Sequence, residues 1–123
     1  MSNEQMTQDT LIVDAVTLLK DKGFENIRVD LDDYEKPSKL QKKGSPKAYI
    51  PDLTAKQDDG KCYFEIVRKS ENNEGEQIEK WSLLSTLAKH RNGKFFLLVP
   101  HGKLNYTRQI LEKNDIEAEI VKL

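Results

Sequence analysis

The sequence predicts an α/β domain in which a mixed central sheet is flanked by helices. Three observations lead there. Asp59-Gly60 is a strong hairpin signal between two β-patterned runs, 47–56 and 61–69. A helical pattern from about Glu74 to His90 then separates the second run from the apolar segment Phe95–Val99. Such a strand, helix, strand succession implies a parallel pair with a right-handed crossover. Period-two alternation also flanks this centre, at Ile27, Val29 and Leu31 and again at Ile116, Ala118 and Ile120. The implied order, α-β-β-β-α-β-α-β, is that of a layered α/β fold.

The 123 residues suffice for one domain with a core of its own, expected over 9–123 behind a flexible, polar segment 1–8. Twenty Lys and Arg against 21 Asp and Glu give a net charge of −1, so polyanion binding must come from local patches rather than from a global field. A single Cys62 excludes an internal disulfide and any paired-cysteine metal site. No apolar run has membrane length and no signal-like start is visible, so a soluble, cytoplasmic protein without membrane contact is expected.

Taken in order, Asp9 or Thr10 is expected to cap a first helix whose stripe is Leu11, Ile12, Ala15, Val16, Leu18 and Leu19. Lys20 and Lys22 suit its last turn, and Gly23 the left-handed residue after it. A strand over 27–31 follows, then an acidic turn of Asp30, Asp32, Asp33 and Glu35. Lys36–Lys47 holds five lysines and no acid, and its two prolines and one glycine argue a mobile loop. Its Lys39, Lys42, Lys43 and Lys47 are the candidate phosphate contacts. In the return strand of the hairpin, Tyr63, Glu65, Val67 and Lys69 share one face, and Cys62, Phe64, Ile66 and Arg68 share the other. Both faces are apolar at mid-strand, as expected of a strand covered on two sides.

Asn73 and Glu76 have capping-box spacing ahead of the second helix, whose inward stripe is Ile78, Trp81, Leu84 and Ala88. Asn92-Gly93 ends it. A last helix runs from Leu104 to Lys113 with Asn114 as its expected C-cap, and a final strand over 117–122 closes the chain. His101, after Pro100, reads as a loop residue rather than a ligand.

Two carboxylates stand out because each sits in an apolar run. Asp52 follows Tyr49-Ile50-Pro51, and Glu65 lies between Phe64 and Ile66. A buried carboxylate is costly unless a cation compensates it, and two on neighbouring strands suit a divalent metal. Pro51-Asp52, a short hairpin and then Glu65-Ile66-Val67 resembles the motif of the PD-(D/E)xK nuclease superfamily, the fold of many restriction endonucleases and Holliday-junction resolvases. The element order agrees over most of the chain. The resemblance implies a restriction-endonuclease-like α-β-β-β-α-β core with an added C-terminal α-β. It also implies Asp52 and Glu65 as ligands of Mg2+ or Mn2+, the Ile66 carbonyl as a further ligand, and DNA as the substrate. Gln77, four residues before Trp81, resembles a glutamine of the exonuclease branch, and Asp9 or Asp14 matches the first-helix acid of resolvases.

One position departs from the motif, for Val67 stands where the family has its lysine. Lys69, two residues further on the same face, is the first candidate to replace it, followed by Lys56 and Lys80. Arg68 lies on the opposite face and would reach the site only through a bulge. Three functions are compatible with these residues. One is a metal-dependent nuclease with a relocated lysine. Another is a catalytically inactive nuclease-fold domain that binds nucleic acid, a second copy of itself or a protein partner. The last is a structural adaptor in which the two acids merely pair with lysines.

Overall fold

A computed structural model of the chain describes residues 3–41, 43–68 and 74–123, with side chains from residue 10 onward. It is an α/β fold whose order is α1 (Asn3–Asp21), β1 (Glu25–Val29), β2 (Leu40–Gln41), β3 (Ala48–Tyr49), β4 (Leu53–Gln57), β5 (Gly60–Ile66), α2 (Glu74–His90), β6 (Phe95–Val99), α3 (Leu104–Asn114) and β7 (Glu119–Lys122). Five strands form one mixed sheet in the order β1-β4-β5-β6-β7, with β2 and β3 paired apart from it. The β1–β4 and β4–β5 pairs are antiparallel, and β5–β6 and β6–β7 are parallel. None of the described helices is long and apolar enough to cross a membrane.

Alternation along β5 sorts the core into two layers. Cys62, Phe64 and Ile66 face Ile12, Ala15, Val16 and Leu19 of α1, together with Phe24 and Val29. There Phe64 stacks on Phe96 at 4.9 Å between ring centroids, and Phe24 meets Phe64 edge-on at 5.3 Å. On the other face, Tyr63 and Val67 pack with Trp81, Leu84 and Ala88 of α2 and with Ile110 of α3. Every residue from Cys62 to Val67 is buried, as a strand covered on both faces requires.

The boundaries of α2 and β6 are those read from the sequence, and the others differ: β5 stops at Ile66 rather than at 69, and β7 starts at Glu119 rather than at 117. Helix α1 reaches back to Asn3, well before the expected cap at Asp9 or Thr10. The single strand expected over 47–56 is two. Ala48–Tyr49 pairs with Leu40–Gln41, so the lysine-rich segment carries a strand of its own, and Leu53–Gln57 alone joins the main sheet. Between them stands Pro51, which has no amide proton to give a ladder. Strand β1 ends at Val29 rather than Leu31, after an irregularity between Glu25 and Arg28 at which Asn26 has φ 52°. The left-handed residue after α3 is Asp115 (φ 53°), and Asn114 remains helical with its Nδ2 donating to the Ile110 carbonyl at 2.9 Å.

The β4–β5 hairpin closes on the pair Gln57 and Gly60, leaving Asp58 and Asp59 as the two-residue loop, with Asp58 at φ 55°. Gly60 is required by proximity instead of by φ. A Cβ there would collide with the Asn92 carbonyl, and one on Gly93 would collide with the Lys61 carbonyl. The hairpin and the α2–β6 turn thus meet backbone to backbone, and the Lys61 amide donates to the Arg91 carbonyl at 3.2 Å.

Candidate functional site

Leu53 pairs with Phe64, and the same register places Asp52 across from Glu65 at the point where β4 begins. The two acids interlock through the main chain. The Asp52 amide donates to Glu65 Oε2 at 2.7 Å, and the Ile66 amide donates to Asp52 Oδ2 at 2.9 Å. The Asp52 carbonyl in turn accepts from the Asp30 amide at 2.9 Å, tying this corner to the end of β1. Both residues are buried, Asp52 at 7% exposure and Glu65 at 4%.

Each carboxylate has a cation of its own. Lys80, from the first half of α2, places Nζ 3.0 Å from Glu65 Oε1. Arg68 grips Asp52 with both ends of its fork, Nη1 to Oδ2 at 3.0 Å and Nη2 to Oδ1 at 3.4 Å. Its Nη1 also donates to the Ile66 carbonyl at 3.4 Å. All four carboxylate oxygens are therefore engaged by protein donors. Burial, followed by the charge of Asp52, pushes the Glu65 carboxyl up to about 8, against the opposing pull of Lys80 and of the Asp52 amide.

The expected residues distribute unevenly about this corner. Asp52 and Glu65 come together. Gln77 lies one turn before Lys80 on α2, but its Nε2 donates to the Tyr106 hydroxyl of α3 at 3.3 Å. Lys56 is exposed at the far end of β4, across from Lys61 and four residues, or roughly 13 Å, from Asp52. Lys69 and Lys42 lie outside the described residues, as does Asn73 of the proposed capping box. Glu76, its other half, instead pairs with Lys47 at 2.8 Å, an exposed contact that raises the lysine pKa and lowers that of the acid. That pair ties β3 to α2 and engages one of the four phosphate candidates, while Lys39 and Lys43 are exposed. Asp14 is exposed on α1, and the side chain of Asp9 lies outside the described residues. Among the described residues no group of three or more His, Cys, Asp or Glu side chains is arranged to hold a metal ion. The oxygen donors present, two carboxylates and the Ile66 carbonyl, are nonetheless of the kind a hard divalent cation takes.

Sequence reasoning ranked Lys80 last and let Arg68 reach the site only through a bulge, whereas Arg68 reaches Asp52 with no irregularity in the β4–β5 register. Both had a signal. Gln77 and Lys80 are three apart on a helix and therefore neighbours on its surface, so a glutamine aimed toward the acids brings the lysine with it. The hairpin register sets Pro51 opposite Ile66, where the β4 side of the ladder stops. Past that point no β4 backbone screens one face from the other, and the long Arg68 side chain reaches Asp52 around the end of the strand.

The chain matches no family model, and no curated protein or solved structure matches it either.

Proposed function

We propose that this is a nucleic-acid-acting protein with a PD-(D/E)xK nuclease-like fold, a metal-dependent phosphodiesterase on DNA whose Asp52 and Glu65 hold Mg2+ or Mn2+. The observation that carries the reading is the pair of buried acids brought to one corner by a hairpin that feeds a parallel crossover. The succession α1, the antiparallel strands, α2 and β6 supports a restriction-endonuclease-like core, with α3 and β7 as the added C-terminal unit.

Asp52 and Glu65, with the Ile66 carbonyl, would hold the ion, which supplies positive charge against a phosphodiester and acidifies a coordinated water. Lys80 takes the part that Val67 cannot. The Lys80 ammonium, 3.0 Å from Glu65 Oε1, would be the donor at this corner to orient an attacking water. Arg68, which now grips Asp52, would present to a phosphate the planar fork that suits it. The Lys39–Lys43 segment would hold the backbone of the substrate.

A second reading has an observation of its own. Because every carboxylate oxygen is already engaged, Arg68 and Lys80 complete the corner without a metal, as in a nuclease-fold domain that has lost catalysis and binds nucleic acid or a protein partner. Calorimetric titration with MgCl2 and MnCl2 separates the two. The catalytic reading expects saturable binding and metal-dependent DNA cleavage in the parent protein. Both should be lost in Asp52→Asn with its circular dichroism unchanged. A parent protein that binds neither ion and cleaves no DNA leaves the inactive binding domain as the function.

A further inference from the structure

The end of the sheet opposite the acid pair carries an arrangement that the proposed site does not use. Lys56 of β4 and Lys61 of β5 are direct cross-strand partners. Like charges placed opposite each other on a sheet repel, so such a pair normally has an acid beside it. Here Arg91 stands next to Lys61, held there by the backbone contact between the hairpin and the α2–β6 turn. Among the described residues, none of these three cations forms an ion pair, although Asp58 and Asp59 occupy the hairpin loop and Glu25 lies across from Lys56. Arg28, on the neighbouring strand, does have a partner, Glu35 at 3.5 Å.

Lys61 is the most confined of the group. Its ammonium lies 5.6 Å from the centre of the Tyr63 ring. Burial lowers its pKa first, and Arg91, Arg28 and Lys56 lower it further, with no acid opposing them. Three positive groups are thus brought together by strand register and by two glycines, and among the described residues no acid comes within ion-pair distance of them. The fold bears this repulsion at a fixed place, and an external anion would relieve it.

We propose that Lys56, Lys61 and Arg91 form a second phosphate-contacting surface, which takes the backbone of the nucleic acid roughly 13 Å along the strands from Asp52 and Glu65. The proposal rests on the nucleic-acid reading above and adds the surface by which substrate is held beyond the acid corner. A backbone is favoured over a single phosphate group because two of the cations are exposed and the third is half-buried, so that they present charge along a surface.

The test is duplex-DNA binding followed by fluorescence anisotropy across a salt series in EDTA, so that metal binding plays no part. Lys56→Gln/Lys61→Gln should lower the salt slope by about two units, at about 0.9 per phosphate. Lys56→Arg/Lys61→Arg should keep the parent slope. The single variant Lys56→Glu, which sets an acid where the surface supplies a cation, should bind more weakly than Lys56→Gln with its circular dichroism unchanged, and equal binding by the two would count against this surface. A glutamine double variant with the parent slope, beside a Lys39→Gln/Lys43→Gln variant with a reduced one, overturns this surface and leaves the functional reading standing. A parent protein that binds no DNA at low salt overturns both.

Discussion

Glu65 is a carboxyl whose protonation the fold controls. Its pKa is raised from an ordinary 4.5 to about 8, chiefly by burial, so between those values the folded chain holds a proton that the unfolded chain has released. Stability from this group is therefore complete below about pH 4.5, falls as pH rises through about 8, and is level above it. Urea titrations across that range should show the decline in the parent protein, and Glu65→Gln should remove it. Lys80 then has a pH-dependent value. Replacing it with Met removes the cation facing Glu65, and because the carboxyl can then take up a proton instead, the charge-dependent loss at pH 9, one unit above about 8, is limited to about 1.4 kcal/mol. At pH 5, where Glu65 carries its proton, the loss should be much smaller. Equal losses at pH 5 and pH 9 would show that Lys80 matters for packing rather than for charge.

At the level of elements, the β4–β5 hairpin and the turn after α2 approach each other backbone to backbone. Gly93→Ala drives a methyl group into the Lys61 carbonyl, and because both partners are backbone neither yields cheaply. We expect a loss of about 1–3 kcal/mol, as for other overpacked sites, read from the denaturant midpoint. A neutral substitution would mean that the two turns are less tightly joined than described. The same region shows how far the sequence could be read. Asp-Gly marked the hairpin correctly, but Gly60 is dictated by Asn92, 32 positions away in the chain, which no local pattern records. Helix α2 and strand β6 were legible because periodicity and caps are local properties. The division at Pro51 was not, because the short ribbon of β2 and β3 has too few residues to show alternation. The acids of the site were legible as carboxylates in apolar runs. Their partners were hidden because Lys80 depends on how α2 sits over the sheet, and Arg68 on where the β4 ladder stops.

Across the whole molecule, the acid corner is assembled from parts that arrive by different routes. Asp52 and Glu65 are joined by a tight hairpin, and Arg68 follows Glu65 almost at once, so three of the four groups can meet through local chain closure. Lys80 comes only with α2, whose place over the sheet is fixed by the crossover into β6. Non-local pairing closes a larger loop and is the slower step. Were the hairpin to form first, Glu65 would wait beside Asp52 without its ammonium, and the folding barrier would carry the cost of that interval. Refolding followed by Trp81 fluorescence should then accelerate as pH is lowered from about 8.5 to about 5.5, and Glu65→Gln should refold at one rate throughout. A parent rate indifferent to pH would place the docking of α2 ahead of hairpin closure. With the hairpin formed first, the connection that delivers Lys80 to its partner acts as a timer on the chain, setting how long a buried charge must stand alone.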